Sequence, residues 1–137
     1  MSDHFTLRFQ PSTTQRLQRR ARAAGARPRT LAVRYVEEGI RHDDHPLVHF
    51  VDGPSGRRAA VTGSQLDVWE IIATVRDHAG DTAAAADYLG IPPGLADAAV
   101  TYYGEFREEI DAEIEQNRAE SQRGHEAWLA GQRALAR

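Results

Sequence analysis

The stretch His4-Phe5-Thr6-Leu7-Arg8-Phe9-Gln10, near the start of this 137-residue chain, has a regular pattern of apolar and polar residues. Phe5, Leu7 and Phe9 alternate with polar residues, so the apolar side chains point to one side of an extended chain. A repeat of two is typical of a β-strand with one apolar and one polar face. A lone strand leaves its backbone groups unpaired, and the next forty residues contain no candidate partner strand. We therefore expect the same strand from a second chain to pair with it in an obligate homodimer.

The residues after the strand predict a helix rich in arginine. It begins at Pro11, where Ser12 and Gln15 have the spacing of a capping box. It ends near Ala24, because Gly25 suits a left-handed stop. Its apolar positions are few, and its other face carries four arginines, Arg16, Arg19, Arg20 and Arg22.

A second helix is predicted from Pro28 to about Arg41. Proline is favoured in the first turn of a helix. Apolar or small residues recur at spacings of three and four along one stripe, namely Leu31, Ala32, Tyr35, Val36, Gly39 and Ile40. One strand and two helices in about forty residues bury too little apolar surface for a stable monomer, which again favours a dimer.

Charge divides the chain into two parts. Residues 1–41 hold nine arginines and three acids, a net charge of +6, whereas residues 42–137 hold eight arginines and seventeen acids, a net charge of −9. Such asymmetry indicates one end that binds a polyanion and a separate acidic end. All basic residues are arginine, which contacts phosphate and guanine with two parallel hydrogen bonds.

The order of strand, capped helix and second amphipathic helix resembles the ribbon-helix-helix fold of the Arc and MetJ repressors. In that family two chains pair their strands, and the ribbon enters the major groove of double-stranded operator DNA. The resemblance implies that the outward side chains of the strand contact bases; here these are His4, Thr6 and Arg8. It also implies a phosphate contact at the start of the second helix, by Arg27, Arg29 and Thr30.

A β-hairpin is predicted after a polar connector over residues 42–46. Leu47–Val51 and Arg57–Val61 have the composition of strands, and Asp52–Gly56 is dense in turn residues. Histidines and aspartates are frequent in the connector, but their spacing matches no zinc signature. No metal and no cofactor is therefore predicted.

Residues 65–106 predict three short helices in a helix-turn-helix arrangement. The first runs from Asp67 to about His78, the second covers Thr82–Leu89, and the third ends at Phe106, with Gly and Pro at the breaks. The three helices lie in an acidic region, since residues 42–106 hold three arginines and ten acids. Because a DNA-binding helix-turn-helix normally has a basic surface, a structural or dimerising role is expected instead.

The sequence from about 60 to 115 is similar to a small bacterial domain family. The residues that carry the similarity are Val61–Ile72, Ala84–Leu89 and Ala98–Tyr103. Members of that family are often encoded beside PIN-like nuclease toxins, as VapB-type antitoxins are. Members of the family usually have threonine and arginine where this chain has Ser64 and Gln65. Any function of the family's arginine therefore does not carry over to this chain.

The tail, residues 107–137, is prone to helix formation and highly charged. Ile110 and Ile114 are expected to pack on the chain's own domain. The apolar residues near the end are expected to bind a partner, the cognate toxin; these are Trp128, Leu129 and Leu135.

Several classes of protein are not favoured by the sequence. It has no cysteine, no glycine-rich phosphate loop, no nucleophile elbow and no His-Glu-x-x-His motif, so we do not expect an enzyme. It has no apolar run near the ~18 residues that a membrane span needs and no signal-peptide pattern. A soluble cytoplasmic protein is expected.

The expected architecture is mainly α with short β. It comprises a ribbon-helix-helix domain at 1–42 that forms an intertwined dimer, a β-hairpin with a three-helix, helix-turn-helix-like domain at 43–106, and a charged carboxy-terminal helix at 107–137. The expected function is a transcriptional autorepressor and antitoxin of a type II toxin-antitoxin system that neutralises a PIN-like nuclease. The oligomer is a dimer, or a tetramer if the second domain also pairs. The alternatives are a dimeric regulator without a toxin, and a protein-interaction adaptor whose arginines are only solvated.

Overall fold

The computed structural model describes residues 4–137, which form six helices and a small antiparallel sheet. In chain order the elements are α1 (Pro11–Ala24), α2 (Pro28–Asp44), β1 (Val48–Gly53), β2 (Gly56–Val61), β3 (Leu66–Asp67), α3 (Val68–Asp77), α4 (Thr82–Leu89), α5 (Pro93–Glu105) and α6 (Arg107–Leu135). The prediction of a mainly helical chain with short strands is confirmed. The chain divides into two compact units, one through Asp44 and one from His45.

Residues 4–10 have no regular secondary structure in the single chain, although the sequence predicts a strand there. A strand is defined by its pairing, and the described part of the chain offers these residues no neighbouring strand. The apolar face of the predicted strand is uncovered, with Phe5 86% and Leu7 61% exposed. The ribbon needs a second chain and stays a prediction.

Helix α1 begins at Pro11, and the predicted capping box of Ser12 and Gln15 is wrong. Gln10 occupies the N-cap position with an extended backbone, and no side chain caps the helix. Pro11 takes the first helical position, so Ser12 already lies inside the helix. At the other end Gly25 has φ +63°, and its N–H donates to the Arg22 carbonyl at 3.2 Å, as the left-handed stop requires.

Helix α2 begins at Pro28 and extends to Asp44, so it includes residues 42–44, for which the sequence predicts a connector. The helices α1 and α2 pack against each other, but Ala21 and Leu31 are the only buried hydrophobic residues that they contribute. The first unit therefore has almost no core of its own.

Strands β1 and β2 form the predicted hairpin, with Gly53 paired to Gly56 and a two-residue turn between them. A third strand, β3, is absent from the prediction; its Asp67 pairs with Ala60 at the end of β2. Gln65, with φ +59°, helps to reverse the chain before β3. A strand of two residues is too short to show an alternating pattern, which explains the omission.

Helices α3, α4 and α5 confirm the predicted helical cluster. Asp67 and Glu70 form a capping box at the start of α3, and the Asp81 side chain accepts a hydrogen bond from the Ala84 N–H at the start of α4. The core of the second unit is continuous and contains Val48, Ala59, Val61, Val68, Ile71, Ile72, Ala86, Ala96, Ala99, Tyr102, Ile110 and Ile114.

Helix α6 is a single helix of 29 residues, and its two halves differ in burial. Ile110 and Ile114 are buried in the core of the second unit, and the Ser55 hydroxyl donates to a Glu120 carboxylate oxygen at 3.2 Å. Residues 121–137 are all exposed. Despite its length, α6 is too polar to cross a membrane, and no other helix within residues 4–137 is long and apolar enough to do so.

Candidate nucleic-acid interface and exposed helix

The first unit exposes an apolar surface that is large for its size. Its exposed large hydrophobic residues are Phe5, Leu7, Phe9, Val33, Tyr35, Val36 and Ile40. Several of them line a cleft of about 430 Å³, together with Leu17 and Ala32. Contiguous apolar surface of this kind marks an interaction site.

The three predicted base-contacting residues are available to a ligand. His4, Thr6 and Arg8 lie on the extended segment and are exposed. Within residues 4–137 none of the three side chains makes an ion pair or a hydrogen bond. The hydrogen-bonding groups needed for base recognition are thus unoccupied by the chain itself.

The three predicted phosphate-contacting residues meet at the start of α2. The Arg27 carbonyl accepts a hydrogen bond from the Leu31 N–H at 3.0 Å, so Arg27 is the last residue before the helix. Pro28 has no N–H, which leaves Arg29 and Thr30 as the first backbone donors. Because Arg27, Arg29 and Thr30 are all exposed, two amide donors and two arginine side chains are accessible in the first residues of α2 and the residue before it. This combination suits an anion.

The helix-turn-helix-like part of the second unit offers no comparable surface. No arginine or lysine lies between Thr82 and Glu105, the span that contains α4 and α5. Asp87 and Asp97 are exposed there instead. Phosphate would be repelled by this surface, which supports a structural role.

Of the histidines before the hairpin, His45 lies among aromatic side chains. His45 is buried, and its ring packs edge-on against the rings of Tyr102 and Phe106. The centroids of the His45 and Tyr102 rings are 5.2 Å apart. The His45 Nε2 lies 3.5 Å from a carboxylate oxygen of Glu105. Within residues 4–137 no three histidine, aspartate or glutamate side chains are placed to hold one ion together.

Helix α6 is held on the second unit by a polar cluster. The Tyr103 hydroxyl donates to Asp111 at 2.7 Å, and Arg76 donates to the Tyr103 oxygen at 2.6 Å and pairs with Asp111. The hydrogen bond from Tyr103 and the Arg76 charge lower the pKa of Asp111. This cluster joins α3, α5 and the first turns of α6.

Glu113 is a half-buried acid that the sequence did not single out. Burial, with the like charge of Glu109, raises the pKa of Glu113 to about 7, and Arg58 opposes this rise. One carboxylate oxygen of Glu113 has no hydrogen-bond partner within residues 4–137. Its burial could have been predicted from the sequence, because Glu113 lies between Ile110 and Ile114 on the buried stripe of the helix.

The predicted toxin-binding residues lie on the exposed half of α6. Trp128 is 59% exposed, Leu135 is 81% exposed and Leu129 is 36% exposed. Trp128 follows Ile110 by five helical turns, so it continues the side of the helix that is buried further back.

Two glycines flank Trp128 on this side of α6. Gly124 and Gly131 precede and follow the tryptophan by one turn, and a Cβ placed on either glycine would meet no atom within 4 Å. The chain's own packing therefore does not require glycine at these positions. Glycine destabilises a helix interior relative to alanine by about 0.5–1 kcal/mol, so these two glycines weaken the exposed half of α6.

Comparison with protein-family models, with curated proteins and with solved structures found no match for this chain. The interpretation of the two exposed surfaces therefore depends on the residues that form them. The first is the apolar and arginine-rich surface of the first unit, and the second is the exposed half of α6.

Proposed function

We propose that this chain is a dimeric DNA-binding repressor of the antitoxin type. The observation that carries the proposal is that the first unit, over residues 4–44, buries only Ala21 and Leu31 as hydrophobic residues while exposing an apolar cleft. The same unit holds nine of the seventeen arginines of the chain. The cleft needs a second copy to complete a core, and the arginines need a polyanion.

The second copy pairs through residues 4–10, as in the ribbon-helix-helix proteins. Pairing covers Phe5, Leu7 and Phe9 in both chains, and burying each such side chain contributes roughly 1.5–3 kcal/mol. It also satisfies the backbone groups of the extended segment. A ribbon formed in this way presents His4, Thr6 and Arg8 twice, related by the twofold axis of the dimer.

Binding to operator DNA then divides between two kinds of contact. Arg8, with His4 and Thr6, reads base edges in the major groove. Arg27, Arg29 and Thr30 hold a phosphate at the start of α2, which fixes the position of the protein on the duplex without reading sequence. The exposure of all six residues supports this division.

The exposed half of α6 binds a toxin protein. A tryptophan flanked by two glycines fits a groove whose wall approaches the helix backbone, and tryptophan is enriched among the residues that dominate binding energy. The class of toxin, a PIN-like nuclease, comes from the family resemblance of residues 60–115. A dimeric regulator without a toxin is the second candidate, and the exposed tryptophan argues against it.

The test is binding of the full chain to the DNA upstream of its own reading frame, over a salt series. Arg8→Ala is expected to weaken binding to that DNA by about 1–3 kcal/mol and to relax specificity. Arg29→Ala, the matched control, is expected to weaken binding to every sequence. It should also reduce the salt slope, which is the slope of log affinity against log salt concentration, by about 0.9 for each phosphate that the protein no longer neutralises.

Two results would contradict the proposal. Absence of wild-type binding at low salt would leave the arginines as a solvated surface and favour the protein-interaction adaptor. Equal losses of affinity for operator and unrelated DNA in Arg8→Ala would refute the role of Arg8 in reading bases.

A further inference from the structure

Helix α1 carries four arginines that the proposed base and phosphate contacts do not use, and three of them line one groove. Arg16, Arg19 and Arg20 line a polar groove of about 480 Å³, with Ala23 as its fourth member. Ala21, which packs on α2, lies on another side of the helix. The three arginines are exposed, so the groove opens to solvent.

The chain supplies no counter-charge to this arginine groove. Within residues 4–137 none of Arg16, Arg19 and Arg20 makes an ion pair or a side-chain hydrogen bond. Glu38, an acid of the same unit, is paired with Arg34 at 3.8 Å. Positive charges three and four residues apart on a helix repel each other, so an anion in the groove would relieve this repulsion.

We propose that the arginine groove binds the phosphodiester backbone of the DNA, as a site separate from the start of α2. The inference rests on the proposed DNA-binding function and adds a second phosphate-binding surface to it. Guanidinium groups bind phosphate oxygens through two parallel hydrogen bonds, and three of them line this groove. In sequence, α1 lies between Arg8 and Arg27, which belong to the two contacts proposed above.

Arg19 provides the sharpest test of the groove. Arg16 and Arg20 also line the apolar cleft that a second copy would cover, whereas Arg19 lines only the polar groove. Arg22 is a matched control, because it is an exposed arginine of the same helix that lies outside the groove. Arginine and alanine both favour helix, so neither substitution is expected to unfold α1.

The experiment measures binding of the full chain to operator and to unrelated duplex DNA at salt concentrations from about 50 to about 200 mM, with the oligomeric state measured in parallel. Arg19→Ala removes two phosphate contacts per dimer, which reduces the salt slope by about 1.8. Over this fourfold range the affinity of wild type should therefore fall about twelvefold more than that of Arg19→Ala, on both DNAs. Arg22→Ala should follow wild type.

The outcomes separate this inference from the proposed function. If Arg19→Ala matches Arg22→Ala while Arg29→Ala reduces the slope, the groove is not a phosphate site and the proposed function stands. If Arg19→Ala weakens the dimer instead, the groove belongs to a protein interface and the inference is overturned. If wild type binds no DNA, both fail.

Discussion

Replacing Glu113 by glutamine should stabilise the second unit at neutral and alkaline pH. Burial raises the pKa of Glu113 from 4.5 to about 7 in the folded chain, and the Glu109 carboxylate adds to this rise. A group with a higher pKa in the folded state favours folding while it is protonated. The contribution of Glu113 to the free energy of unfolding is therefore complete below pH 4.5 and is lost as the pH rises through about 7.

The size of the effect follows from the two pKa values. The interval from 4.5 to about 7 corresponds to about 3 kcal/mol for a fully shielded group. Glu113 is only half-buried, and solvent screening reduces this to roughly 1–2 kcal/mol. Wild type should lose that amount between about pH 4.5 and about pH 8, whereas Glu113→Gln should retain it.

The measurement is urea unfolding at several pH values, followed by tryptophan emission. Trp69 and Trp128 both lie in the second unit, so the signal reports that unit. Glu115→Gln is the control, because Glu115 lies on the same helix and pairs with Arg118 at an exposed position. Parallel stability curves for wild type and Glu113→Gln would refute the reasoning, since they would mean that the carboxyl titrates alike in both states.

Two further predictions concern the exposed surfaces. Leu7→Asp should raise the dissociation constant of the dimer at least about a hundredfold in sedimentation equilibrium, because two buried leucines contribute roughly 3–6 kcal/mol per dimer. Arg8→Ala, the control, should leave this dissociation constant unchanged. If Leu7→Asp forms an equally tight dimer, residues 4–10 are excluded from the interface. Trp128→Ala should weaken binding of a co-expressed cognate nuclease by about 30-fold or more in calorimetry, as for a central tryptophan anchor. Tyr88→Ala, which removes another exposed aromatic ring, is the control, and equal losses of affinity from both would contradict a specific role of Trp128.

The helices were predictable because their ends are encoded locally. Gly25 and Gly90 adopt the left-handed conformation after α1 and α4, and Asp81 caps α4 with its own side chain. The capping box predicted at Ser12 failed for an equally local reason, because Pro11 occupies the first helical position. Signals within four residues of each other thus account for both the successes and this failure.

The features that the sequence did not predict depend on contacts between different elements of the fold. Strand β3 exists because residues 66–67 meet the end of β2, which no pattern of two residues can show. The burial of Glu113 depends on the packing of α6, and its pKa is also affected by Arg58 and Asp67 from other elements. The groove of arginines on α1 was visible as a charged face, but its lack of partners appeared only with the fold.

The two exposed surfaces of this chain have different physical consequences. Among its described residues the first unit buries Ala21 and Leu31 and little else, so under the proposed function completion of its core, dimerisation and DNA binding would be one linked process. A variant such as Leu7→Asp should therefore weaken DNA binding without removing a side chain that touches DNA, and the effect should diminish as the protein concentration rises. Under the same proposal Arg8→Ala should leave the dimer intact and remove a base contact, so its effect should be independent of protein concentration. Concentration dependence thus separates residues that build the ribbon from residues that read the DNA.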